Sequence, residues 1–135
     1  MNWTEAQPIS GDIIRTKVTF YHHYGIYVND QEVIQFGLPK DVGKPAEQIY
    51  VLSTDIDCFL NGGELETAKP EANELKKMRS KKEIVEIARS RIGDGGYDIL
   101  HNNCEHFVFG CAFGKSSSPF LEGVREKIRK KLNKA

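Results

Sequence analysis

The chain has 135 residues, of which 39% are hydrophobic, so it is long enough to fold as one domain around a single core. Nineteen basic residues balance nineteen acidic ones, which argues against nucleic acid as a partner. Cys58, Cys104 and Cys111 have spacings that fit neither a disulfide framework nor a paired zinc motif. With no secretion-signal pattern and no long apolar run, we expect a cytoplasmic protein.

We assign the domain to residues 8–118. Strand patterns dominate its first half. Segments rich in β-branched and aromatic residues predict strands at residues 12–15, 18–28, 32–36 and 48–53. The second and third of these are separated by a polar turn and predict a hairpin. Residues 55–80 are polar and interrupted by glycine and proline, so we expect mostly loop there.

Helix signals dominate the second half of the chain. Ser80 and Glu83 form a capping box ahead of a periodic apolar run, and Gly93 stands where that helix should end. A second helix is predicted over residues 104–114. Residues 119–135 predict a basic amphipathic helix with a narrow apolar stripe.

Cys104 is the first candidate for chemistry because Asn102 or Asn103 can cap the helix that it opens. Unpaired N–H groups and the helix dipole favour a thiolate at that position, which is the reactive form of cysteine. The alternative is a small buried hydrophobic residue, the interpretation that we prefer for Cys58 and Cys111. Spacing alone does not decide between the two for Cys104.

His23 is the better of two adjacent histidines to act as a base. Strand alternation puts Tyr21, His23 and Gly25 on one face and His22 on the other. The His22 face continues into apolar residues that predict a core. Gly25 would leave open space on the His23 face, where a substrate or the helix of Cys104 can approach.

Gln35 is the candidate to orient His23, because a side-chain amide can hold an imidazole as a carboxylate does. If the hairpin loop has three residues, 29–31, Gly25 pairs with Gln35, which then lies diagonal to His23 on the same face. A two-residue loop is expected to turn Gln35 to the wrong side. An ordinary polar residue on a solvated strand face is the alternative for Gln35.

A metal site is not expected. His101 and His106 flank Cys104, but a Cys-x-His spacing without a second close pair is poor ligand geometry. His106 also points away from Cys104 in a helix, so it should pack or hydrogen-bond locally. Because a glycine-rich phosphate loop is not found either, we expect no cofactor.

Two boxes together resemble the lecithin:retinol acyltransferase (LRAT) domain family: FYHHYGIYVNDQEVIQF and NNCEHFVFGCAFG. The resemblance implies an α+β, circularly permuted NlpC/papain-like fold, with an antiparallel sheet packed against the helix that carries the nucleophile. It implies Cys104 as nucleophile and His23 as base, with Asn103 in the second box as a supporting residue. Many family members have a second histidine where this chain has Gln35.

The resemblance further implies transfer of a fatty acyl group from a phospholipid, through a cysteine thioester, to an alcohol, an amine or water. The expected partner is an acyl-lipid or another acyl donor. A thiol amidase or peptidase of the NlpC type and a catalytically silent binding module stay open as alternatives. Residues 119–135 are either a peripheral membrane contact or a solvated helix.

Overall fold

A computed structural model describes residues 1–41 and 43–113. Six strands lie within these ranges: β1 (Asn2–Thr4), β2 (Ile13–Val18), β3 (Tyr21–Asn29), β4 (Glu32–Phe36), β5 (Val51–Thr54) and β6 (Glu66–Lys69). The α-helices are α1 (Ile56–Leu60), α2 (Ala72–Leu75), α3 (Lys81–Ser90) and α4 (Cys104–Ala112). Two short 3-10 helices span Pro39–Asp41 and Ala46–Gln48. The amphipathic helix predicted over residues 119–135 and the end of the predicted domain lie outside the described residues.

The strands form one sheet in the order β1-β6-β2-β3-β4-β5, and every neighbouring pair is antiparallel. The predicted α+β class is confirmed. Helices α3 and α4 contact each other and pack on one face of the sheet. The larger core lies between them and includes Ile13, Ile26, Ile34, Phe36, Ile84, Phe107, Val108 and Cys111. A smaller core on the opposite face contains Ile14, Tyr27, Val33 and Phe59, and α1 covers it.

The β3–β4 hairpin has the predicted register but not the predicted loop. Gly25 pairs with Gln35 and Tyr27 with Val33, whereas beyond a β-bulge Asn29 pairs with Glu32. The turn therefore has two residues, and one extra residue in β3 supplies the shift that we assigned to a three-residue loop. The expectation that a two-residue loop would misplace Gln35 was wrong for that reason.

Two of the three helices predicted in the second half are confirmed, and the third lies outside the described residues. The Ser80 side chain accepts a hydrogen bond from the backbone N–H of Glu83 and caps α3. Gly93, at φ +96°, lies in the turn after that helix, where a left-handed conformation favours glycine. Helix α4 begins at Cys104, and of the two candidate asparagines Asn103 is the cap.

The prediction that residues 55–80 are mostly loop was wrong. Asp55 caps the short helix α1 by accepting a hydrogen bond from Cys58, and Asn61, in the left-handed conformation, ends it. The same segment supplies α2 and β6, and β6 pairs with β1 and β2. Those partners are distant in sequence, so no local pattern reveals the pairing. The predicted strand at 48–53 begins only at Val51.

Candidate active site

A cavity of about 730 Å³ opens beside the first residues of β3. Pairing between β3 and β4 begins at Gly25 and Gln35, whereas the preceding residues of β3 pair with β2 alone. The sheet is therefore open at this edge, and side chains from both of its faces line the cavity. His23 and Tyr24 reach it from opposite faces of β3, and Cys104 reaches it from the start of α4.

Cys104 is the first residue of α4 and is 7% exposed. Burial raises the pKa of its thiol above the ordinary value, and this is the largest effect. Backbone N–H groups of Tyr24, Glu105 and Cys104 itself face the sulfur and lower that pKa. The predicted position at a helix N-terminus is confirmed, but the expected net lowering of the pKa is not, because burial outweighs the N–H groups. The resting side chain is a thiol.

Asn103 holds the start of α4 in place. Its side-chain oxygen accepts a hydrogen bond from the N–H of His106 at 3.1 Å, and its own N–H donates to Nδ1 of His106 at 3.1 Å. Its amide nitrogen also donates to the carbonyl of Ile99 at 2.9 Å, which ties the preceding loop to the helix. The local hydrogen bonding predicted for His106 is confirmed.

His23 is 3% exposed, and its Nε2 lies 2.7 Å from Oε1 of Gln35. The ring packs against Phe59, with 5.2 Å between the ring centroids. Burial lowers the pKa of His23 below its ordinary value, and the hydrogen bond to Gln35, the negative charge of Asp41 and the Gly37 carbonyl offset part of that effect. The imidazole is therefore neutral at pH 7 and able to accept a proton.

Gln35 is fully buried, so the alternative of an ordinary polar residue on a solvated strand face is wrong. Its amide oxygen faces His23, and its amide nitrogen donates to Oγ1 of Thr54 at 2.6 Å. Thr54 ends β5 and precedes Asp55, the cap of α1. The amide therefore bridges the histidine on β3 and the hydroxyl on β5.

The expectation of open space at Gly25 was wrong. A Cβ there would lie 2.7 Å from Cε1 of Phe59, because α1 presses this side chain onto the strand. The helix of Cys104 packs instead on the opposite face, where Tyr24 and Phe109 are 6.1 Å apart between ring centroids. Histidine and thiol therefore line one cavity at the sheet edge, not above a shared face.

Two tyrosines also line the cavity. Tyr21, which strand alternation puts on the same face of β3 as His23, lines the cavity, and burial is the main cause of its raised pKa. Tyr97 lines it from the loop before α4 and packs edge-on against Phe36 at 5.2 Å. Sequence reasoning missed Tyr97, Phe59 and Thr54. An aspartate cap before a short apolar run was the available signal for α1, and thus for Phe59.

The other two cysteines differ from each other. Cys111 is buried, as predicted, and burial raises its pKa to about 12. Cys58 is exposed on α1, so its prediction as a buried hydrophobic residue was wrong. The hydrogen bond to Asp55 is the main cause of its raised pKa. Neither residue lines the cavity.

The histidines outside the His23–Gln35 pair have polar partners nearby. His22 lies 3.7 Å from Glu66, and His101 lies 3.2 Å from Asp98. Within residues 1–41 and 43–113, no group of three or more His, Cys, Asp or Glu side chains is arranged to hold a metal ion.

The mouth of the cavity is apolar and exposed. Phe20, in the turn between β2 and β3, is 94% exposed, and Ile99, before α4, is 71% exposed; both line the cavity. Leu100 follows Ile99 and is also exposed. In the part of the chain that the structure describes, no helix has the length and apolar character needed to cross a membrane.

Comparison with known proteins assigns the chain to a family. The family model described as lecithin retinol acyltransferase matches residues 6–117. The chain belongs to the lecithin retinol acyltransferase family. It is 30% identical to lecithin retinol acyltransferase from Bos taurus, over 90% of this chain and 63% of that protein. It is 25% identical to phospholipase A and acyltransferase 4 from Homo sapiens, over 90% of this chain and 80% of that protein.

The length covered differs between these relatives. The chain spans 63% of the bovine and 61% of the Rattus norvegicus lecithin retinol acyltransferase, to which it is 28% identical. Its match to phospholipase A and acyltransferase 3 from Homo sapiens, at 26% identity, covers 87% of this chain and 78% of that protein. The matches to both kinds of relative therefore extend over most of this chain.

Proposed function

We propose that the protein is a cysteine-dependent acyltransferase or acyl hydrolase that acts on lipid esters through a thioester on Cys104. One observation carries the proposal: Cys104, at the start of α4, and His23, paired with Gln35, line the same cavity. The names of the relatives, lecithin retinol acyltransferase and phospholipase A and acyltransferase, support the reaction class.

The first half of the reaction acylates the thiol. At rest both groups are neutral, because burial raises the pKa of Cys104 and lowers that of His23. The imidazole takes the thiol proton as the sulfur attacks the ester carbonyl. The ester C–O bond then breaks, and the imidazolium returns the proton to the departing alcohol. The product is an acyl thioester on Cys104.

Backbone N–H groups supply the stabilisation of the oxyanion in this mechanism. The N–H groups of Tyr24, Cys104 and Glu105 face the sulfur, and the carbonyl under attack must lie beside that sulfur. Tyr24 is well suited to bind the oxyanion, because β3 is not paired with β4 at this residue. The N–H of Tyr24 is therefore not used in pairing with β4. Fixed donors of this kind stabilise charge as it develops.

The second half of the reaction removes the acyl group. An alcohol, an amine or water gives up a proton to His23 and attacks the thioester carbonyl, and the C–S bond breaks. The thiolate regains the proton from the imidazolium. Transfer and hydrolysis therefore use the same residues and differ only in the acceptor.

An acyl-lipid is the substrate that the cavity fits best. Phe20 and Ile99 at the mouth, together with Tyr97, offer apolar contact to a fatty chain. Burial of such a chain is favourable by roughly 0.8 kcal/mol per methylene group. A peripheral membrane contact through residues 119–135, on a cytoplasmic protein, stays part of this proposal.

The circularly permuted NlpC/papain-like fold is also part of the proposal. A cysteine at the N-terminus of a helix packed on an antiparallel sheet, with a histidine on a strand of that sheet, supports it. The histidine precedes the cysteine in this chain. Such triads are defined by geometry and not by chain order.

The test uses phospholipid vesicles and mass spectrometry of the intact protein. We expect an added acyl mass on Cys104, together with released lysophospholipid, and loss of both in Cys104→Ala. Cys58→Ala is the matched control, because Cys58 is exposed and does not line the cavity. It should keep full activity.

Two other outcomes of this test would reject the lipid proposal. Turnover of labelled peptides but not of lipid esters would assign the site to amide hydrolysis by the same pair. Turnover of neither, together with an unreactive Cys104, would indicate a binding module that retains the fold.

A further inference from the structure

Three polar side chains form a diagonal line across three strands on the face that α1 covers. Register pairs Gly25 with Gln35, which puts His23 diagonal to Gln35. Register also pairs Val33 with Thr54, which puts Thr54 diagonal to Gln35 on the other side. The line is continuous, because His23 and Gln35 are 2.7 Å apart and Gln35 and Thr54 are 2.6 Å apart.

The far end of this line fixes its hydrogen-bond direction. The hydroxyl of Thr54 donates to the backbone carbonyl of Asp55 at 2.9 Å, and a carbonyl can only accept. The single hydroxyl proton is thereby used, so Thr54 must accept from Gln35. The amide NH2 of Gln35 therefore faces Thr54, and its oxygen faces His23.

The Asp55 carbonyl is itself well anchored. The Asp55 side chain accepts from the N–H of Cys58 at 2.8 Å, and its carbonyl also accepts from the N–H of Phe59 at 3.2 Å. Both bonds belong to the first turn of α1, whose Phe59 packs against the ring of His23. The same short helix thus fixes the carbonyl to which Thr54 donates and also packs against the imidazole ring of His23.

We propose that Thr54 is a positioning residue that selects the tautomer of His23. Because the amide oxygen of Gln35 can only accept, Nε2 of the neutral imidazole must carry the proton. Nδ1 is then the unprotonated nitrogen and the base. The role as base rests on the proposed function, whereas the choice of tautomer rests on the 2.7 Å contact between Nε2 and the amide oxygen of Gln35.

Replacement of the hydroxyl should remove this selection. In Thr54→Val the amide of Gln35 loses its acceptor and is free to rotate, so that its NH2 can face His23. An NH2 group there favours a proton on Nδ1, the wrong nitrogen for a base. Valine matches threonine in shape and favours strands, so the variant should fold. Thr54→Ser keeps the hydroxyl and is the matched control.

Nitrogen NMR of the full chain, with labelled histidine, identifies the tautomer of His23 and does not depend on an activity assay. We expect a single Nε2–H tautomer for His23 in the native protein and in Thr54→Ser, and a mixture of tautomers in Thr54→Val. His22 and His101 serve as internal references because they lie outside the line. A native Nδ1–H tautomer, or an unchanged tautomer in Thr54→Val, would overturn the proposal.

Turnover of a lipid ester gives the second readout. Thr54→Val should lower kcat by about tenfold while KM changes little, and Thr54→Ser should stay within about twofold of native. Thr54→Ala, which cannot form the bond either, should match Thr54→Val. Equal kcat in Thr54→Val and the native protein would contradict the positioning role of Thr54. Activity that survives Cys104→Ala would instead contradict the proposed function.

Discussion

The amide oxygen of Gln35 lies 2.7 Å from Nε2 of His23, and both side chains are buried on the same face of the sheet. This contact joins two neighbouring strands at the point where their pairing begins, because Gly25 pairs with Gln35. An uncharged amide leaves the imidazole with no negative partner in contact. It orients the ring and raises its pKa less than a carboxylate would.

Gln35→Leu should therefore lower kcat by about tenfold or more, because His23 and Thr54 both lose a partner in a buried site. Stability should also fall, by about 1–3 kcal/mol. Gln31→Leu, in the exposed hairpin turn, is the control and should change neither quantity by much. Steady-state kinetics on a lipid ester and urea unfolding measure the two effects. Native kcat in Gln35→Leu would show that the amide does not orient the base.

The cap of α4 should matter for activity, whereas the cap of α3 should not. Asn103→Ala and Ser80→Ala each remove a helix cap and should each cost about 1 kcal/mol of stability. Only Asn103 adjoins Cys104 and ties down the loop that carries Ile99. We expect kcat/KM to fall several-fold in Asn103→Ala alone. Equal kinetic losses in the two variants would mean that general stability is being measured.

Gly25→Ala should destabilise the protein, because a new Cβ would lie 2.7 Å from Phe59 and 3.1 Å from Val33. Such overpacking costs about 1–3 kcal/mol. Gly110 is the control: it lies within α4 and a Cβ there meets nothing within 4 Å. Gly110→Ala should instead stabilise by about 0.5–1 kcal/mol. Thermal and urea unfolding measure the change in stability of each variant. An increase in stability for Gly25→Ala would refute the close packing of Phe59.

The pH dependence follows from the lowered pKa of His23. Folding disfavours its protonation, so its contribution to stability is complete above its ordinary pKa of 6.5 and is lost as the pH falls through the lower folded value. The acid limb of kcat/KM should likewise have its midpoint below 6.5. NMR titration of His23 and a pH–rate profile should agree. A midpoint above 6.5 in both would show that burial does not dominate.

The sequence by itself determined those features that depend on local chemistry. A Ser-x-x-Glu cap located α3, and an asparagine before Cys104 located α4, because capping uses residues within one turn. Alternation along one strand separated His23 from His22. These signals lie within a few residues of the features that they predict.

Tertiary structure decided which face each helix covers. Alternation along β3 cannot tell which side α4 will pack on, and α4 packs opposite His23, where Tyr24 contributes to the core. The pairing of Gly25 with Gln35 was predicted correctly, but from a three-residue loop that the hairpin does not have. A two-residue loop together with a β-bulge in β3 gives the same pairing. Phe59 and Thr54 come to His23 only when β5 and α1 pack beside β4, through contacts distant in sequence that no local pattern encodes.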